Sequence, residues 1–190
     1  MSDHYTEPSS LTRLGYRLVY DPLRGGYLRD LVASLRLAGT ERVLDFGSGP
    51  GSEAIYLARA LDRGGRVTCL DVSPTWLGEA RRRLRRFDNV DFLVGSASAV
   101  GLPAAAFDVV LAHYVLHDVD GAALAGSLAA LSQALRPGGR FVAVEPIGAH
   151  HGFSADELNP LMKAAGFIEQ SREVIHPPFG LATRAVYRAV

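Results

Sequence analysis

Two sets of residues in this chain have the type and spacing to do chemistry. The first is a run of glycines at alternate positions, Gly47, Gly49 and Gly51, within Val43-Leu44-Asp45-Phe46-Gly47-Ser48-Gly49-Pro50-Gly51. The residues before it read as a strand and those after it as the start of a helix. Such a turn points backbone N–H groups outward, and a polar ligand can come close to atoms that carry no Cβ. A second apolar run ends in Asp71, about twenty residues beyond the turn, where a carboxylate can accept hydrogen bonds from both hydroxyls of a ribose. A dinucleotide fingerprint needs its third glycine at position 52, and the chain has Ser52 there, which argues against a nicotinamide cofactor. The second set is histidine, which titrates where a base must work near neutrality. Four of the six histidines lie in two short segments, His113 with His117 and His150 with His151.

These residues need a scaffold, and the apolar pattern supplies one. Strand-like runs at residues 43–46, 66–70, 90–94, 107–112 and 140–144 alternate with helical stretches at about 53–61, 75–86 and 122–135. Short, β-rich, unalternating runs separated by helices mean strands buried on both faces, as in a parallel sheet covered by helices. The ending differs. Residues 167–175 and 181–190 are two strand-like runs joined through Pro177, Pro178 and Gly180, a hairpin that places one antiparallel strand on an otherwise parallel sheet. Between them and the fifth strand, either Ser154 and Glu157 box a helix that contains Pro160, or Asn159 caps a shorter helix with Pro160 at its first position. The first forty residues read as two helices, 10–20 and 24–37, broken at Asp21-Pro22 and ending near Gly39. The expectation is one domain over 1–190: a helical lid at 1–39 and a Rossmann-like seven-stranded core at 40–190, with six parallel strands, one antiparallel strand and helices on both faces.

The motifs in this order carry a family resemblance. Asp45-Phe46-Gly47-Ser48-Gly49-Pro50-Gly51 resembles the first motif of class I S-adenosylmethionine-dependent methyltransferases. Asp71-Val72-Ser73-Pro74-Thr75-Trp76-Leu77 resembles their second, and Phe107-Asp108-Val109-Val110-Leu111-Ala112-His113 their fourth. Leu135-Arg136-Pro137-Gly138-Gly139-Arg140-Phe141 is similar to the turn they place before the fifth strand. The resemblance runs from about residue 31 to the C-terminus. It implies S-adenosylmethionine as cofactor, with Gly47, Ser48, Gly49 and Gly51 approaching its methionine part and Asp45 orienting the amino group. It also implies Asp71 on the ribose and Val72 and Trp76 beside the adenine. Ser96 and Ala97 fall where the family usually has an aspartate near the adenine amino group, and His113 falls at the mouth of the pocket.

Methyl transfer needs a nucleophile held in line with the methyl group and water kept out. An oxygen or ammonium nucleophile must also lose a proton. His117, His150 and His151 are the candidate bases, and Tyr114 is a further acceptor contact. Both histidine segments lie beyond the carboxyl ends of strands, where ligands of open α/β sheets bind. Glu145, at the end of the fifth strand, could orient a histidine or meet a substrate cation. His113 and His117 span a strand end and a loop, so no metal site is expected. Tyr16, Tyr20, Arg24 and Tyr27 are candidates for the lid. No long insertion interrupts the sheet, so a small acceptor is expected. The competing readings are a methyltransferase acting on a macromolecule and a module that only binds the cofactor or its demethylated product.

Composition narrows the partners. The chain has 190 residues, 48% hydrophobic and 21% charged, with 20 basic and 20 acidic residues. A zero net charge argues against a protein that grips nucleic acid by neutralising phosphates. The arginines at 81–83 and 85–86 fall on the outer face of a helix whose inner face is Leu77, Ala80 and Leu84, a solvated stripe. Cys69, the only cysteine, sits in an apolar strand and reads as core. The first ten residues lack a basic start and apolar stretch, and no run reaches the ~18 apolar residues of a membrane span, so no membrane partner and a cytoplasmic location are expected.

Overall fold

The computed structural model describes residues 8–147, 155–178 and 180–190. Its frame is a seven-stranded sheet in the order β3-β2-β1-β4-β5-β7-β6. The strands are β1 Arg42–Phe46, β2 Arg66–Asp71, β3 Val90–Val94, β4 Phe107–His113, β5 Leu135–Pro146, β6 Phe167–Ile175 and β7 Ala182–Ala189. The pairings of β1 with β2 and β4, of β2 with β3 and of β4 with β5 are parallel. Only β7 runs against its neighbours, antiparallel to both β5 and β6. The sheet is therefore the expected one of six parallel strands and one antiparallel strand.

Helices cover both faces because neighbouring residues of one strand must each be buried on opposite sides. Leu44 and Phe46 of β1 pack with Leu124, Leu128 and Leu131 of α5 (Gly121–Ala134). Val43, next to Leu44 along the strand, packs on the other side with Val32 and Leu35, and with Leu57 and Leu61 of the α3 region (Ala54–Ala60). The third crossover partner is α4 (Pro74–Leu84), whose Leu77, Ala80 and Leu84 bury against Cys69 and Ala54. Ser73 caps it, accepting from the Trp76 N–H at 3.1 Å, and Pro74 occupies the first turn, where its missing N–H costs nothing. Cys69 is core, and burial pushes its thiol pKa up. No helix among the described residues is long and apolar enough to cross a membrane.

Three local expectations are revised. The N-terminal segment is helical without a break: α1 (Ser10–Gly15) runs through a π-helical turn (Tyr16–Tyr20) directly into α2 (Asp21–Ser34). Pro22 follows directly on the π-helical turn, at the second position of α2. Second, β5 begins at Leu135 and not at residue 140, because Leu135 already pairs with Phe107; residues 136–139 then bulge before Arg140 pairs with Val109. Third, Pro160 lies inside α6 (Ala155–Ala164), which excludes the shorter helix capped by Asn159. Ser154, the other proposed cap, lies outside the described residues.

The topology also fixes where ligands go. From β1 the chain crosses to β2 and β3 on one side, then to β4 and β5 on the other, so the strand order reverses between β1 and β4. Two diverging crossovers open a crevice at that point, beyond the carboxyl ends of the strands.

Candidate active site

A cavity of about 310 Å³ occupies this crevice. The β1 turn contributes Gly47, Ser48 and Gly49; the end of β2 contributes Asp71 and Val72, with Trp76 one helical turn on; Ser96 comes from beyond β3. His113, Tyr114 and His117 follow β4, and Tyr16 and Arg24 reach in from the N-terminal helices. Among the expected site residues, Asp45, Gly51 and Ala97 do not line it.

The three glycines have three different reasons to be glycine. All have positive φ, at +72°, +51° and +76° for Gly47, Gly49 and Gly51. A Cβ on Gly47 would fall 2.2 Å from Val115, and one on Gly51 would fall 2.9 Å from Leu84 of α4. A Cβ on Gly49 would meet nothing within 4 Å. Gly49 is thus the position where a ligand can approach the backbone, whereas Gly51 serves helix packing behind the turn. Ala97, 1% exposed, is a core residue packed with the α5 side of the sheet.

Asp71 braces the turn from the end of β2. Its Oδ2 accepts from the Gly49 N–H and its Oδ1 from the Ser73 N–H, both at 2.8 Å. Burial raises its pKa, and these two amides oppose the rise. Asp45 lies buried behind the turn, with its Oδ2 lacking a hydrogen-bond partner among the described residues. Burial first, then the charges of Glu53 and Asp71, push its carboxyl well above the ordinary range. Trp76 is buried and meets the ring of Tyr16 edge-on at 5.1 Å between centroids, so the N-terminal segment covers this side. Val72 is 43% exposed, and the Ser96 hydroxyl lies 3.2 Å from that of Ser98.

His113 is held on every side. Its Nδ1 lies 2.6 Å from Oε1 of Glu53, and its Nε2 lies 3.0 Å from the hydroxyl of Tyr27 on α2. Arg24 places Nη2 at 3.4 Å from both ring nitrogens and 3.8 Å from Glu53. The ring stacks on Tyr114, with centroids 4.5 Å apart and planes 17° from parallel. Burial alone would raise the Glu53 pKa, but His113 and Arg24 hold it at about 2. Burial also pushes the Tyr27 pKa up. With both nitrogens engaged, His113 ties the N-terminal helices to the rim of the cavity.

His117 sits half-buried on a 3-10 turn (Leu116–Asp118), with Nδ1 at 2.5 Å from Oε2 of Glu145. Glu145 is 1% exposed, and its Oε1 accepts from the N–H groups of Val115 and Leu116 at 3.1 and 2.9 Å. Burial lowers the His117 pKa, but the bond and charge of Glu145, with Asp118, outweigh it, so the net shift is upward. Tyr114 adopts φ of +55°, unusual for a side chain of its size, with its N–H bonded to the Val144 carbonyl at 2.8 Å. His150 and His151 lie outside the described residues. Glu53 is the site residue that sequence reasoning missed. Its one signal is its place as the lone acid between the glycine turn and the following helix.

Comparisons with known proteins show the family and the fold. A methyltransferase-domain profile matches residues 43–139, just over half of the chain. A demethylmenaquinone methyltransferase of Tropheryma whipplei is 34% identical over 111 residues, covering 58% of this chain and 44% of that protein. A ubiquinone/menaquinone biosynthesis C-methyltransferase of Methylobacterium nodulans is 33% identical over 141 residues, covering 68% of this chain and 54% of that protein. The chain therefore spans about half the length of these relatives. A solved structure, the Burkholderia thailandensis 1,6-didemethyltoxoflavin-N1-methyltransferase with bound 1,6-didemethyltoxoflavin and S-adenosylhomocysteine, shares the fold. It superposes with a TM-score of 0.74 at 24% identity, covering 95% of this chain and 86% of that one. The chain belongs to the family of S-adenosylmethionine-dependent methyltransferases.

Proposed function

We propose that this chain transfers a methyl group from S-adenosylmethionine to an oxygen or nitrogen of a small acceptor, with His117 taking the acceptor's proton. The observation that carries the reading is one cavity whose wall holds both the open turn at Gly49 with Asp71 and the His117–Tyr114 segment. The residues present fit the cofactor: unobstructed backbone at Gly49, a carboxylate braced at Asp71 and a buried indole at Trp76. Gly47, Ser48 and Gly49 would hold its methionine part, Asp71 the ribose, and Val72, Trp76 and Ser96 the adenine. When bound, the cofactor supplies a methyl group already activated by the positive sulfonium.

The chain's own task is then to place and deprotonate. Tyr114 and His117 follow β4 directly and would position the acceptor, with the His117 ring taking the proton of its O–H or N–H. Holding the reactants in this geometry can lower the barrier by roughly 7–11 kcal/mol in ideal cases. Segment 1–39 acts as the lid, since Tyr16 and Arg24 both form part of the wall. Among relatives, one printed name is a C-methyltransferase and another an N1-methyltransferase, so a half-buried base at His117 is what supports a protic acceptor here.

Calorimetry with S-adenosylmethionine and S-adenosylhomocysteine tests the cofactor, and no heat of binding by folded protein would end this reading. Turnover with isotope-labelled donor and phenolic or amine acceptors, in His117→Ala, His150→Ala and His151→Ala variants, tests the base. His117→Ala alone should slow transfer by about 100-fold or more.

A further inference from the structure

We propose that the outer face of the N-terminal helices, with the arginine-rich end of α4, is a docking surface for a bilayer that carries anionic phospholipids. Single exposed apolar side chains are ordinary, but a row of them on one face marks a contact. Leu11, Leu14, Leu18, Val19 and Leu23 form such a row, from 49% exposed at Leu14 to 78% at Leu11. At about 100° per residue in α1 and α2, and less through the π-helical turn between them, the five share one face. The opposite face carries Tyr16 against Trp76, and Arg24 and Tyr27 against His113. The helix is packed on one side and is apolar and open to solvent on the other.

The adjoining surface says what covers this face. One depression is lined by Ser10, Arg13 and Leu14 of α1 and by Glu79 and Arg82 of α4. A second shares Glu79 and Arg82 and adds Arg83 and Arg85, and a third shares those two arginines and adds Arg59 and Arg86. The leucine row therefore runs into a basic one. Arg82, Arg85 and Arg86 are exposed, whereas Glu79, the one acid among the described residues lining the three, is buried and paired with Arg82. An amphipathic helix rests in a membrane interface in this way, its apolar face sunk ~5–10 Å and its basic residues on anionic headgroups. A second copy docked face to face would set arginine against arginine, and nucleic acid offers nothing to a row of leucines. The expectation of no membrane partner rests on the missing span, which interfacial docking does not need. A docked helix, ~10 Å across, would hold the Tyr16–Arg24 wall of the cavity about that far from the headgroups.

Co-sedimentation of the full chain with phosphatidylcholine vesicles, with and without about one quarter phosphatidylglycerol, tests the proposal. Binding should appear with phosphatidylglycerol, be about tenfold or more weaker on phosphatidylcholine alone, and fall steeply as salt is raised. Arg85→Gln/Arg86→Gln should weaken binding about tenfold or more, since each arginine near the surface adds to the attraction. Leu18→Gln/Leu23→Gln should abolish it, with circular dichroism showing both variants folded, and Leu11→Gln/Leu14→Gln carries the test if the first leucine pair fails to fold. No binding to either vesicle, equal binding to both, or full binding by the arginine variant or the leucine variant overturns the proposal. A dimer in sedimentation equilibrium that the leucine variant dissociates, with no binding to vesicles, overturns it in favour of a second copy of this chain.

Discussion

The carboxylate of Glu53 lies 2.6 Å from Nδ1 of His113, sixty positions away in the chain, and the two form a buried hydrogen-bonded joint between the start of α3 and the end of β4. Arg24 and Tyr27 close on the same joint from α2. This joint has a pH signature. The Glu53 pKa falls from its ordinary 4.5 to about 2, so its contribution is complete above 4.5 and is lost as pH falls toward 2. The shift corresponds to about 3 kcal/mol. Glu53→Gln should lower stability by about that amount at pH 7 and flatten the loss between pH 4.5 and 2, read by urea unfolding across that range.

The glycine turn predicts two alanine variants that fail differently. Gly47→Ala drives a Cβ into Val115 at a positive φ, so it should cost roughly 2–5 kcal/mol in denaturant unfolding. Gly49→Ala adds a methyl to open space and should cost only about 1–2 kcal/mol of left-handed strain. Its S-adenosylhomocysteine affinity should nonetheless fall about tenfold or more by calorimetry, a loss of about 1.4 kcal/mol.

Asp71 holds the turn while facing the proposed ribose site. Asp71→Asn should weaken S-adenosylhomocysteine binding by roughly 10–100-fold, the value of one charge-assisted hydrogen bond. Because burial holds its pKa above the ordinary 3.8, wild-type affinity should decline on acidification before an exposed aspartate would titrate. Calorimetric titrations between pH 7 and 4 read this, and an affinity flat over that range would remove Asp71 from the contact.

Trp76, the only tryptophan, lines the cavity and packs against Tyr16. Intrinsic fluorescence should change on adding S-adenosylhomocysteine. Tyr16→Ala should shift the emission of the free protein to longer wavelength as the indole meets water, and an unshifted spectrum would mean that the N-terminal segment does not cover it.

The sheet could be read in the sequence because strands buried on both faces leave unalternating runs such as 43–46 and 107–112, and little else does. The turn and Asp71 were visible for the same reason: their roles depend on neighbours within one strand-turn-helix unit. That Asp45, Gly51 and Ala97 stand outside the cavity wall was not legible, because adjacency along the chain says nothing of which side of the turn faces Leu84 or the core. Glu53 was missed because its partner is supplied only when β4 lies beside β1. Asp21-Pro22 suggested a break because local rules do not anticipate a π-turn feeding a proline into the next helix.

That π-turn spaces Tyr16, over Trp76, from Arg24 and Tyr27, at His113. A π-turn is an α-helix carrying one extra residue, and its wider winding absorbs the roughly 100° that the residue would otherwise add, so the helix keeps the same faces toward Trp76 and His113. The cover on Trp76 and the latch on His113 thus tolerate a change of one residue in the helix that joins them.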